Sequence, residues 1–288
     1  MTQGISLHVG INKASSAFPN AATLTGAEND AREMEKIAAA NLFTTRDLLL
    51  GSDATYGRVT TKIRTAAKAL HQGDIFLFTF AGHGFQRPDA SDSDENDRKD
   101  ETILLYDFEL FDDVMRRELL PLFRPGVRVL GILDSCHSES AFAIPHGPTP
   151  DLPPPSAGEA VIADLEEAPP IRTPDGLRSR TARRSVGEAH FAQYGEFYES
   201  TLLPLVPRPI LASVLLLAAC QANSTTPDGD PNGVYTAAML KALKDFDPSN
   251  YDHLVTKIKA VMNRPIQTPT IEFLGEPPDF RTQRPFTV

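Results

Sequence analysis

The sequence predicts an α/β protein with a mainly parallel central sheet and helices on both faces. In the first half of the chain, apolar runs of strand length alternate with segments of helical periodicity. The apolar runs are nearly continuous rather than alternating with polar residues, which is typical of strands buried on both faces. A chain of 288 residues is long enough to bury a full core around such a sheet.

The elements follow one another in a regular order. Strands are predicted over 5–11, 44–50, 74–81, 127–133 and 210–219, with a short apolar run at 103–106. Helices are predicted over 25–41, 56–70, 112–122, 234–243 and 251–262. Thr25 and Glu28 match a capping box, so the first helix is expected to begin with Thr25 as its N-cap.

Composition divides the chain into three parts. Residues 1–144 and 210–288 have the apolar content of packed structure, whereas 145–209 is rich in Pro, Ala, Glu and Arg. A segment with so little apolar surface is predicted to be a flexible linker, with a short helix over 191–203. The first part is therefore interpreted as a large unit and the last as a small unit, joined by a candidate processing region.

Charge and patterning exclude some function classes. The net charge of −10 argues against nucleic-acid binding, because phosphate recognition favours a basic face. No apolar run reaches membrane-spanning length, and the N-terminus lacks the zones of a signal peptide. Two cysteines without metal-ligand spacing favour a reducing compartment, so a cytoplasmic protein is expected.

Two chemically reactive residues follow apolar strands directly. His83 stands at the end of one strand and Cys136 at the end of another, each inside a turn of small residues. Parallel neighbouring strands would bring both residues to the same sheet edge. The pair would support acyl transfer, with the backbone N–H groups of Gly84 and Cys136 as candidate oxyanion donors. The alternative for either residue in isolation is a structural role in the core.

Several short motifs strengthen the enzymatic interpretation. Ala81-Gly-His-Gly84 is similar to a Ser-Gly-His-Gly turn, and Asp134-Ser-Cys-His-Ser138 to an Asp-Cys-Cys-His-Ser turn. His83 also precedes Cys136 by about 50 residues, a separation typical of caspases. With the helix start at 24–34, these motifs resemble the caspase-like clan of cysteine peptidases, and within it the metacaspases and their bacterial relatives. The resemblance covers 4–144 and 209–262 and implies a caspase-like three-layer sandwich.

The resemblance implies roles for particular residues. Cys136 would be the nucleophile and His83 the general base and acid, while Asp30 and Asp134 would line the pocket for the residue preceding the cut. Two buried carboxylates favour a planar guanidinium, so cleavage after Arg is expected, less efficiently after Lys and not after Asp. The alternative for Asp30 is a surface charge that stabilises the first turn of a helix. In this pocket the sequence has Ala81 where the family has a serine, and Ala27 where the family has a cysteine.

An acidic loop raises the question of calcium. The candidate ligands are Asp97, Asp100 and Glu101, in a stretch that fails the EF-hand pattern. The resemblance implies a further aspartate seven residues after the nucleophile, where this chain has Ala143. A solvated acidic loop is the alternative interpretation, and the chemistry itself requires no cofactor.

The linker contains a cluster of arginines. They are Arg172, Arg178, Arg180, Arg183 and Arg184. If the pocket accepts Arg, the chain is a zymogen cut in this segment by itself or by another protease. The alternative is a basic docking patch for an acidic partner.

The function expected from the sequence is thus a caspase-type cysteine endopeptidase acting on proteins or peptides with Arg or Lys at the cut. Two alternatives stay open, namely another cysteine-dependent amidase and a catalytically silent interaction scaffold. The resemblance suggests regulated cell death or antiviral defence as the setting.

Overall fold

The structure is a computed structural model that describes residues 2–18, 21–88, 99–136, 177–182, 184–202, 208–220, 226–263, 267–275 and 278–288. Its strands are β1 (Gly4–Gly10), β2 (Thr45–Leu50), β3 (Ile75–Ala81), β4 (Gly84–Pro88), β5 (Lys99–Leu104), β6 (Glu109–Phe111), β7 (Arg128–Asp134), β8 (Ser213–Ala218) and β9 (Thr270–Leu274). Its main helices are α1 (Ala27–Ala40), α2 (Tyr56–Ala69), α3 (Asp112–Val114), α4 (Arg184–Leu202), α5 (Val234–Phe246) and α6 (Tyr251–Met262). Met115–Leu119 and Leu120–Leu122 prolong α3 as a π-helical and a 3₁₀ segment.

The central sheet has six strands in the order β2-β1-β3-β7-β8-β9. All neighbours pair in parallel except β9, which runs antiparallel to β8. The predicted fold class, a mainly parallel α/β sheet, is confirmed. The shorter strands β4, β5 and β6 form a separate antiparallel sheet that begins at Gly84.

Helices cover both faces of the sheet. Phe76 and Phe78 of β3 join one core cluster with residues of α2 and α4, whereas Ile75 and Leu77 join another with residues of α1, α5 and α6. Successive side chains of a strand point to opposite faces, so an uninterrupted apolar run supplies both cores. This is why the strands have no polar alternation.

The capping-box prediction at Thr25 was wrong. Helix α1 begins at Ala27 with Gly26 as its N-cap, and no side chain caps it. The Thr25 hydroxyl donates instead to Asp228 at 2.9 Å, and the Thr25 N–H donates to the same carboxylate oxygen at 2.7 Å. A distant tertiary partner therefore outweighs the local pattern.

Helix α4 differs from the predicted linker. It begins at Arg184 rather than 191, and Tyr198 within it is buried against the core. The ring of Phe108 packs on Tyr194, Phe197 and Tyr198 with centroid separations between 4.1 and 6.1 Å. Residues 184–202 are thus a packed element, because their aromatic side chains bury enough apolar surface to offset the cost of ordering.

Within the described ranges, none of the helices combines the length and the apolar character needed to cross a membrane.

Candidate active site

The ends of β3 and β7 bring the two reactive residues to one edge of the sheet. Ala81 pairs in register with Asp134, so both chains leave the sheet at the same level. The N–H of Gly82 donates to the Asp134 carbonyl at 3.4 Å, which ties the two exits together. His83 and Cys136 follow these exits, and both are buried.

The imidazole of His83 is held between two carbonyl oxygens. Its Nε2 lies 2.6 Å from the oxygen of Ala22, and its Nδ1 lies 3.2 Å from the oxygen of Arg180. A carbonyl only accepts, so each ring nitrogen needs a proton to donate to its oxygen, and a neutral ring satisfies only one of the two contacts. Burial lowers the pKa of His83, although the two backbone contacts oppose this shift.

The thiol of Cys136 is enclosed by backbone and hydroxyl groups. The N–H of Thr226 donates to its Sγ at 2.9 Å, and the Ser179 hydroxyl lies 3.6 Å from the same sulfur. Burial raises the pKa of Cys136, outweighing hydrogen bonds from Thr181, Thr226 and Ser179. The neutral thiol is therefore favoured while residues 177–182 occupy the cleft.

Gly84 approaches the turn of Cys136 closely. A Cβ at Gly84 would lie 2.3 Å from the carbonyl oxygen of Cys136, so this position requires glycine. The N–H of Gly84 donates to the carbonyl oxygen of Arg180 at 3.1 Å. The N–H of Gly84 thus contacts one particular peptide carbonyl, while the oxyanion role of the Gly84 and Cys136 N–H groups stays a prediction.

The side chain of Arg180 fills a pocket of carboxylates and is fully buried. Its Nη2 lies 2.5 Å from Asp30 Oδ2 and its Nη1 lies 2.9 Å from Asp134 Oδ1. Asp228 Oδ1 accepts from Nη2 at 3.1 Å. The structure thus brings both predicted pocket residues, Asp30 and Asp134, onto one guanidinium.

The pocket carboxylates are fixed by further donors. Asp30 Oδ1 accepts from the Asn232 amide at 2.8 Å, and Asp134 Oδ2 accepts from the Thr236 hydroxyl at 2.6 Å. Burial raises the pKa of Asp30 to about 6, even though Arg180 acts to lower it. The carboxylates of the pocket are therefore held by neighbouring polar groups as well as by the Arg180 guanidinium.

Sequence reasoning missed Asp228. Burial by itself would raise the pKa of Asp228, but Arg180 and the hydrogen bonds from Thr25 hold it below its usual range. The available signal was an aspartate in the loop after the third adjacent strand, β8, which ends at the same sheet edge as β3 and β7. No recognisable motif marks that loop.

The backbone around Arg180 is held on both sides. The Arg180 N–H donates to the Thr226 carbonyl at 2.8 Å, and the Asp228 N–H donates to the Arg178 carbonyl at 2.7 Å. On the other side, the Ala182 N–H donates to the Gly84 carbonyl at 3.1 Å. Residues 178–182 therefore lie between the 226–228 loop and strand β4, in the manner of an added strand.

The other predicted site residues are not part of this arrangement. Arg178 is exposed and its guanidinium donates to the Thr23 carbonyl at 2.5 Å. Arg184 is the first residue of α4. Arg172, Arg183 and Asp97 lie outside the described residues. Ala27 and Ala81 stand at the two pocket positions where the sequence differs from the family motif. They pack together with Leu24 in a small apolar cluster.

Two of the three calcium candidates, Asp100 and Glu101, lie within the described residues. Asp100 belongs to β5 and Glu101, next to it, is buried. Among the described residues, no group of three or more His, Cys, Asp or Glu side chains is arranged to hold a metal ion.

A parallel α/β sandwich with a histidine and a cysteine at adjacent strand exits defines the class of caspase-type folds. The family model for the caspase domain, a peptidase family, matches residues 5–278. The chain therefore belongs to the caspase-domain family of peptidases.

Individual relatives agree with this assignment. Metacaspase-1A of Aspergillus clavatus is 33% identical over 153 residues, covering 49% of this chain and 34% of the relative. Metacaspase-1A of Aspergillus niger is 27% identical over 278 residues, covering 88% of this chain and 65% of the relative. The chain thus spans only about a third of the length of the first of these.

Solved structures show the same fold. Protein GSU0716 from Geobacter sulfurreducens aligns with a TM-score of 0.78 at 33% identity over 99% of both chains. Caspase-1 from Spodoptera frugiperda aligns with a TM-score of 0.53 at 12% identity, over 95% of this chain and 86% of the other. The second likeness supports the fold alone.

Proposed function

We propose that the chain is a cysteine endopeptidase that cleaves peptide bonds after arginine, and less efficiently after lysine. One observation carries the proposal: Arg180 has its guanidinium among Asp30, Asp134 and Asp228 while its carbonyl oxygen meets Gly84 N–H and His83. The side chain of Arg180 thus occupies the carboxylate pocket while its carbonyl group lies beside the proposed catalytic residues. An acidic side chain at this place would meet three like charges, so Asp is rejected.

The chemistry follows from the groups around that carbonyl. His83 takes the proton of Cys136, and the sulfur attacks the carbonyl carbon while Gly84 N–H stabilises the oxyanion. His83 then protonates the leaving amine, and a thioester to Cys136 remains. Water attacks the thioester, which releases the acid and restores the thiol. The protein's own residues supply every proton transfer, and no cofactor takes part.

We further propose that the chain is a zymogen whose first substrate is its own segment 177–182. The bond that would break joins Arg180 to Thr181, because only the Arg180 carbonyl meets the catalytic groups within this segment. Arg178 is less suited, since its side chain is exposed and its carbonyl is bound by Asp228 N–H. An upstream protease remains the other route to activation.

The test compares the wild type with Cys136→Ala on fluorogenic peptides ending in Arg, Lys or Asp, with and without calcium. Mass spectrometry follows the chain itself over the same period. We expect Arg hydrolysis that disappears in the variant, together with fragments 1–180 and 181–288 from the wild type only. No hydrolysis of any peptide, before or after opening the linker with trypsin, would favour the catalytically silent scaffold.

A further inference from the structure

Asp228 meets the guanidinium of Arg180 differently from the other two carboxylates. Asp30 contacts Nη2 and Asp134 contacts Nη1, whereas Asp228 Oδ1 lies 3.3 Å from Nε and 3.1 Å from Nη2. Asp228 therefore binds the lateral edge of the guanidinium, which includes the nitrogen next to the aliphatic stem. We propose that Asp228 is the residue that selects arginine over lysine, an inference that rests on the endopeptidase activity proposed above.

The geometry explains the selectivity. A lysine side chain ends in a single ammonium and has no nitrogen in the position of Nε. Its ammonium can reach the end of the pocket, where Asp30 and Asp134 lie, but it leaves the oxygen of Asp228 without the two donors that arginine supplies. A buried carboxylate oxygen that loses its donors weakens binding. Arginine is therefore favoured by the contacts of Asp228 in particular.

The carboxylate of Asp228 is also held by donors other than the guanidinium. Its Oδ2 accepts from both the N–H and the hydroxyl of Thr25, and its Oδ1 accepts from Gly26 N–H at 3.2 Å. These donors belong to the start of α1 rather than to the substrate side. A residue fixed in this way distinguishes ligands instead of adapting to each of them.

Asp228 also contacts the backbone of the segment that carries Arg180. The N–H of Asp228 donates to the Arg178 carbonyl. One residue thus binds both the backbone of the segment and the cation of its side chain. With the backbone held in the same place, an arginine side chain brings two nitrogens to Asp228 Oδ1, whereas a lysine side chain has no nitrogen next to its aliphatic stem.

The experiment uses the cleaved enzyme as the parent: the linker of each chain is opened with immobilised trypsin, which is then removed, so that Arg180 can leave the pocket. The parameters kcat and KM are measured for two matched peptides, Leu-Arg-Ser-Arg and Leu-Arg-Ser-Lys, each with a fluorogenic leaving group. Asp228→Asn is compared with Thr25→Ala, which removes a donor to Asp228 without touching the guanidinium edge. Circular dichroism and thermal unfolding check that each variant is folded.

We expect Asp228→Asn to lower kcat/KM for the Arg peptide about tenfold to hundredfold, mainly through KM, the effect of losing charge-assisted hydrogen bonds. The Lys peptide should lose about threefold or less, so the Arg to Lys ratio falls. Thr25→Ala should lower stability and leave the ratio near that of the parent. If Asp228→Asn does not fold, Asp228→Glu, which keeps the charge and displaces the oxygen, should lower the ratio in the same direction.

An unchanged ratio in a folded Asp228 variant that still hydrolyses the Arg peptide would overturn this inference alone. A ratio that falls equally in Thr25→Ala would also overturn it, because the effect would then be structural. Absence of hydrolysis in the parent chain would instead contradict the proposed endopeptidase.

Discussion

The carbonyl oxygen of Arg180 accepts a 3.1 Å hydrogen bond from the backbone N–H of Gly84. Gly84 directly follows His83, and Arg180 lies 97 positions beyond that histidine. The contact fixes one peptide group of segment 177–182 beside His83. In this state the cleft is filled by the chain itself, and the following predictions test what that occupancy means.

Replacing Arg180 by alanine should destabilise the chain. The change leaves buried carboxylates without their cation, which costs about 3–5 kcal/mol when one partner of a buried ion pair is removed. We expect a lower melting temperature in scanning calorimetry and no cleavage between residues 180 and 181. Arg178→Ala is the matched control, because the Arg178 side chain is exposed and should alter neither property appreciably. Equal effects of both changes would contradict the special place of Arg180.

Cys136 should react slowly with iodoacetamide in the intact chain. Burial raises the pKa of its thiol, so thiolate forms only above the usual range, and the alkylation rate should increase as pH rises through it. After cleavage and release of the segment, reaction at neutral pH should accelerate at least tenfold. Cys220, whose thiol is equally buried, is the internal control and should remain slow. Peptide mass spectrometry resolves the two sites, and parallel acceleration at both would indicate unfolding instead.

Hydrolysis of Arg peptides should weaken in mild acid. The pKa of Asp30 is raised to about 6 with Arg180 present, and it should rise further once that cation has left. As pH falls through this range Asp30 takes up a proton, loses its charge and no longer pairs with the substrate, so KM rises. A pH profile of kcat/KM on the self-cleaved enzyme measures this limb. Asp30→Asn should lower the activity and remove the decrease of kcat/KM on the acidic side of the profile. If that decrease persists unchanged in the variant, it is caused by another group.

The two fragments should remain associated after cleavage. Strand β8 of the second fragment pairs with β7 of the first, and α4 packs its aromatic side chains on Phe108. Both fragments are expected to co-elute from a sizing column without denaturant.

Phe108→Ala tests the contribution of α4 to this association. Truncating a fully buried phenylalanine costs about 3–5 kcal/mol, and Phe108 is partly buried, so we expect a smaller loss that still makes the fragments separate at a lower urea concentration. Phe246→Ala makes the same change at an exposed position of α5 and should leave the urea midpoint unchanged. Separation of the wild-type fragments without urea would contradict the packing argument.

The strand exits could be predicted from the sequence because each depends on local pattern. An apolar run ending at a glycine or small polar residue already indicates a buried strand and its edge, and parallel topology then brings His83 and Cys136 together. Asp30 and Asp134 were placed in one pocket through family resemblance rather than through pattern.

The occupant of that pocket could not be predicted. Arg180 contacts Asp30 across 150 positions of sequence, and five arginines of the linker were equivalent candidates on composition alone. Only packing distinguishes them. Likewise, averaging composition over 145–209 concealed the aromatic residues of α4, whose burial decides whether that stretch is ordered.

The carboxylates that surround Arg180 have a consequence for the lifetime of the molecule in the cell. A newly synthesised chain carries its own counter-cation, so it can fold with these charges already offset. If the segment departs as proposed, the carboxylates lose this cation, and the repulsion between like charges then favours local opening or the uptake of a proton. An active molecule without substrate should therefore be recognised and degraded sooner than one at work. Its activity would fade as its substrates are exhausted, without a separate inhibitor.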